Sequence, residues 1–166
     1  MSDARWIEVF ADCEDAVTHF SNGVRLYEAG GFEGDSLDAY RARMAFMHAL
    51  QAGHTSRESA LLRILDILNE ERPGGEQWHR DLILRASIET MGRDARPAIL
   101  SPELSARADE TRRFRNLAMR NYGSFDATKA APTVAAAREL AKGLTQAITR
   151  FRDIVDPPDD GGRLSA

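Results

Sequence analysis

The feature that most constrains this chain is a set of apolar seams stepping by four and three, with no stretch of strand-like alternation. Trp6, Phe10, Cys13, Val17, Phe20, Val24 and Tyr27 form the first seam. Leu37, Tyr40, Met44 and Met47 repeat the stepping, as do Ala137, Ala141, Leu144, Ile148, Phe151 and Val155. That spacing keeps side chains on one face of an α-helix, whereas a strand would need a period of two. The expected fold is therefore all-α: a largely antiparallel bundle of five or six helices. A chain of 166 residues suits one domain, able to bury about 70% of its unfolded surface. The domain is expected over residues 1–156, with the Pro-, Asp- and Gly-rich segment 157–166 as a disordered tail.

Punctuation along the chain divides the helices. Gly30, Gly31 and Gly34 are expected to end the first helix, and Asp35 to cap the second. Gly53-His54 reads as a break, followed by Thr55-x-x-Glu58 as a capping box heading a third helix. Leu61, Leu62, Ile64, Leu65, Ile67 and Leu68 cover a wide arc of that helix. Such a helix is either central in the bundle or turned toward another protomer, which is one ground for expecting a homodimer. Arg72 to Gly75 is a turn, and Trp78, Leu82, Ile83 and Leu84 lie on a helix expected to run to about Met91-Gly92. The connection from Arg93 to Leu100 carries Pro97, Ser101 and Pro102 suit the start of the next helix, and Pro132 suits the start of the last.

The chemistry concentrates between Arg112 and Asp126. Leu104 to Arg120 has no Gly or Pro and reads as helix, so Arg112, Asn116 and Arg120, four apart, share a stripe. Arg115 lies about 100° to one side of Asn116, within reach of a long guanidinium. This is a cationic, amide-bearing ridge in a chain of net charge −4, a balance that argues against wholesale nucleic-acid coating and leaves a local site.

The residue order there resembles the signature of the HEPN superfamily, and within it the HepT-like ribonuclease toxins of prokaryotic toxin–antitoxin pairs. Arg115-Asn116 matches the opening of the motif, Leu117, Ala118 and Met119 its spacer, and Tyr122-Gly123 its close. Arg120 occupies the family's catalytic His position. Trp78-His79 upstream, Arg96-Pro97, Ser101 to Leu104 and Asp126 fit the same context. The resemblance implies RNA phosphodiester cleavage, independent of metal, in a cleft between two protomers. It also implies a nucleotidyltransferase-type antitoxin as partner, which in such pairs can place adenylate on the tyrosine near the motif, here Tyr122.

The residue types suit that chemistry in part. Arg115, with Arg112 and Arg120 beside it, can hold phosphate through paired hydrogen bonds, and Asn116 can orient a neighbour or the sugar. Cleavage by a 2′-hydroxyl also needs proton transfer, which His performs near neutral pH and Arg120, protonated throughout, does not. The cleft is therefore expected to be weakened or lost as a nuclease, unless a His from another helix, such as His79 or His48, substitutes. The other reading is a non-enzymatic bundle that binds a nucleotidyltransferase-like partner or nucleic acid. An unrelated helical protein would instead turn residues 112 to 122 away from any cleft.

Other chemistries find little support. Glu76-x-x-His79 and Asp15-x-x-x-His19 have metal-ligand spacing, but a di-iron bundle needs two Glu-His pairs and two further Glu. No metal and no cofactor is expected. Cys13 is the single cysteine and reads as a buried thiol in a reducing compartment. The segment Met1 to Trp6 lacks the apolar core of a signal peptide, and no run reaches the roughly 18 apolar residues of a membrane span. A cytoplasmic location and no membrane partner are the expectation.

Overall fold

A computed structural model of the chain describes residues 3–120 and 125–158, without the side chains of 118–120. The described residues form an all-α bundle: α1 Trp6–Ala29, α2 Leu37–Ile67, α3 Trp78–Ser87, α4 Pro102–Arg120 and α5 Ala127–Val155. Helix α1 packs on α2 and α5, α4 packs on α5, and α3 bridges α2 and α4.

The first seam is the inner face of α1, with Trp6, Val9, Cys13, Ala16, Phe20 and Val24 all buried. Trp6 also ties the two ends of the described chain together, its indole N–H donating to Asp156 at 2.9 Å. Cys13 is fully enclosed beside Thr145, and burial pushes its thiol pKa up, as suits an inert core thiol. Met47 is buried and Met44 packs against the core, but Leu37 and Tyr40, on the same expected stripe, are exposed.

The break expected at Gly53-His54 does not occur. Helix α2 runs through it for 31 residues, about 46 Å. Gly53 is a contact residue instead, since a Cβ built there would lie 2.8 Å from the Phe20 ring of α1. Gly23 on α1 likewise faces Leu50. The two glycines let the helix axes approach, so their role is packing rather than termination. The wide apolar arc is used within the protomer: Leu61, Ile64 and Leu65 are buried, and Leu62, Ile67 and Leu68 pack against the same core. It gives no support to a dimer.

Three helix boundaries also differ from expectation. Ser36, one residue after Asp35, caps α2 by accepting from the Ala39 amide at 3.0 Å. Helix α3 stops at Ser87, short of Met91, because other groups take its terminal carbonyls. The amides of Ile99 and Leu100 both reach Ala86 O, and the Arg96 guanidinium donates to Arg85 O and Ile88 O. Arg96 is itself buried and paired with Glu70. Helix α5 begins at Ala127, where Asp126 accepts from the Thr128 and Lys129 amides, rather than at Pro132. Pro132 sits inside the helix on an exposed face, where water can take the Thr128 carbonyl that the missing N–H leaves free. Ser101 does cap α4, accepting from the Leu104 amide at 3.2 Å, with Pro102 first in the helix.

An aromatic cluster fixes α4 over the core. Phe114 meets Phe46 edge-on at 5.9 Å between ring centroids, and Phe125, just beyond the signature segment, lies 4.9 Å from Phe32 and 5.6 Å from Phe46. Of the expected tail, residues 159–166 lie outside the described residues.

Candidate functional site

With Phe114 held inward, the ridge of α4 turns toward α3. Arg112, Arg115 and Asn116 form one wall of a cleft of about 420 Å³, and Glu76, Gln77, His79 and Arg80 form the other. Arg112, Arg115 and Asn116 therefore face a cleft, where an unrelated helical protein is expected to turn them away. Three guanidiniums against one carboxylate give this lining a positive balance. Arg112 is tethered by Asp109 at 2.7 Å. Arg120 ends α4, its side chain outside the described residues, and Tyr122 lies outside them altogether. His48 is exposed on α2 and is not part of this lining.

Behind the cleft lies a buried polar chain that joins three helices. His79 Nδ1 is 2.6 Å from Glu58 Oε1 on α2, and His79 Nε2 is 3.4 Å from Arg115 Nη1 on α4. The same Glu58 oxygen lies 3.0 Å from His54 Nε2, near enough for a hydrogen bond though not aligned for a straight one. His54 Nδ1 in turn faces Arg57 Nη2 at 3.0 Å. His54 and Arg57 have no exposed surface. Arg57 Nε and Nη1 find no partner among the described residues.

The donors and acceptors settle the tautomers. A guanidinium only donates and a carboxylate only accepts. Arg57 therefore donates to His54 Nδ1, leaving the proton of neutral His54 on Nε2, facing Glu58. His79 likewise donates from Nδ1 to Glu58 and presents the lone pair of Nε2 to Arg115 and the cleft. Burial keeps His54 neutral, pushing its pKa down to about 4 against the pull of Glu58. Burial opposes the charge on Glu58, but His54, His79 and Arg57 together outweigh it and hold the carboxyl below its usual range. Arg57, wholly buried, is pushed down to about 10. The Trp78 ring stacks on His79 at 3.7 Å between centroids and limits how the imidazole can turn.

His54, Glu58 and His79 also offer three ligand atoms within 4.8 Å of one another. The site is poorly suited to a cation, because Arg57 and Arg115 flank the trio with two fixed positive charges.

Of the residues that sequence reasoning singles out, Arg112, Arg115 and Asn116 line this cleft, as does His79, named there as one source of a missing imidazole. That reasoning missed Glu58, His54 and Arg57, because a break at Gly53 hid their shared face. Once α2 is continuous, His54 and Glu58 fall four residues apart, one turn of one helix.

Residues 45–155, two thirds of the chain, match a family model described as HepT-like protein. Comparisons with curated proteins and with solved structures each find no match.

Proposed function

The chain belongs to the HepT-like family, and on that premise we propose that it acts in a toxin–antitoxin-type module through an RNA-directed cleft of reduced nuclease power. What carries the proposal is the position of Arg115. It stands in a cleft with Arg80, Arg112 and Asn116 and touches an imidazole at 3.4 Å. Arg115 and Arg112 take a backbone phosphate, Asn116 orients the ribose or its neighbour, and Arg120, one turn further along α4, adds positive charge.

Power is reduced because Arg120 holds the family's His position and cannot exchange a proton at neutral pH. The same reading assigns a homodimer, with the cleft lying between two protomers. It also assigns a nucleotidyltransferase-type antitoxin as partner and Tyr122 as the residue that accepts adenylate, whose charge would repel RNA phosphate. No helix among the described residues is long and apolar enough to cross a membrane.

The test is RNA cleavage by wild type beside Arg120→His. Restoring a proton-transfer group is expected to speed cleavage by about 10²-fold or more. An unchanged rate, with both proteins folded and binding RNA, would remove position 120 from the chemistry.

A further inference from the structure

Resting on the RNA-cleft reading, we infer that His79, on α3 and outside the signature helix, is the catalytic base of this cleft, with Glu58 as its positioning residue. Three observations meet at His79. Its Nδ1 is held by a buried carboxylate at 2.6 Å, its ring is stacked on Trp78, and its Nε2 faces the cleft 3.4 Å from Arg115. A carboxylate behind an imidazole fixes the tautomer, aims the free lone pair outward and stabilises the imidazolium once a proton arrives.

The contact to Arg115 is long for a hydrogen bond, and phosphate is the stronger acceptor for a guanidinium. Substrate therefore draws Arg115 onto the phosphate and leaves Nε2 beside the ribose. His79 Nε2 then takes the 2′-hydroxyl proton as the 2′-oxygen forms its bond to phosphorus. The bond from phosphorus to the 5′-oxygen breaks, leaving a 2′,3′-cyclic phosphate. The departing 5′-oxygen takes a proton from water, and His79 returns its own to solvent. No metal or second reactant enters. The leaving-group side has no protein acid in this scheme, so the cleft turns over slowly.

The charged and titratable groups around His79 are few. Glu58 and His54 face it from α2 with Arg57 behind them, Arg115 and Arg112 from α4, Arg80 from its own helix and Glu76 from the turn before it.

The experiment uses the full chain as wild type, His79→Gln and Glu58→Gln, with a single-stranded RNA oligonucleotide, the same sequence in DNA, and RNA binding by fluorescence anisotropy in parallel. Wild type is expected to cut RNA but not DNA, leaving cyclic-phosphate ends. His79→Gln should lose about 10²-fold in rate or more while binding RNA within about threefold of wild type. Glu58→Gln should lower the rate at saturating RNA while leaving RNA binding close to wild type, the split expected of a residue that acts through His79. Full activity in His79→Gln, or no cleavage by wild type that still binds RNA, would overturn the role of His79 and leave the RNA cleft standing. Absence of RNA binding would remove both. If His79→Gln does not fold, His79→Asn is the second variant, and full activity in it overturns the assignment equally well.

Discussion

Glu58 Oε1 on α2 and His79 Nδ1 on α3 lie 2.6 Å apart, and Glu58 is almost fully enclosed. This contact docks the short helix α3 on the long one and sets the wall of the cleft. Removing a buried partner leaves the others uncompensated, so Glu58→Ala should cost about 3–5 kcal/mol. Glu58→Gln keeps an acceptor oxygen and should cost less than half as much. Urea denaturation of the three proteins checks this, and equal midpoints for Ala and wild type would mean that the contact does not hold α3.

Stability should fall with acid in a window set by His54. Its folded pKa is about 4 against an ordinary 6.5, so the unfolded chain binds the proton more readily. The stabilisation is complete above pH 6.5 and is lost as pH falls toward 4, by about 3 kcal/mol at 1.36 kcal/mol per unit. Glu58, also depressed, has the same sign and acts lower, as pH falls through its folded value. Urea midpoints at several pH values should decline across this range, and less steeply in His54→Gln. A flat wild-type profile would contradict a buried neutral His54.

Gly53 and Gly23 separate two kinds of close approach. A methyl at Gly53 would meet the Phe20 ring at 2.8 Å, whereas at Gly23 the nearest atom is a terminal methyl of Leu50. A ring in a packed core cannot yield as a leucine end can. Gly53→Ala should destabilise by about 1–3 kcal/mol even though alanine is the better helix former. Gly23→Ala should cost less or nothing. Thermal denaturation of the pair decides it, and the reverse order would contradict the packing role of Gly53.

How far the sequence reaches can be read from these same residues. The seam from Trp6 to Tyr27 appears as the inner face of α1, because a period of 3.6 is a local property of the chain. The cap at Ser101 and the ridge at Arg112, Arg115 and Asn116 were legible for the same reason. Gly53 was misread because its meaning lies across the bundle, in a phenylalanine 33 positions earlier in the chain. Glu58 looked like half of a capping box, and only the docking of α3 shows that it serves His79. The end of α3 was likewise set from a distance, by the Arg96 guanidinium.

The most direct measurement is the affinity of a labelled single-stranded RNA for wild type, Arg115→Ala and Arg138→Ala across a series of salt concentrations. Arg138 on α5 pairs with Glu28 on α1, neither of which lines the cleft, and serves as the control. Arg115→Ala should weaken binding about tenfold or more and lower the slope of log K against log salt by about 0.7, the contribution of one phosphate contact on a single strand. Arg138→Ala should match wild type. Equal affinity and equal slope in all three proteins would contradict an RNA cleft built around Arg115.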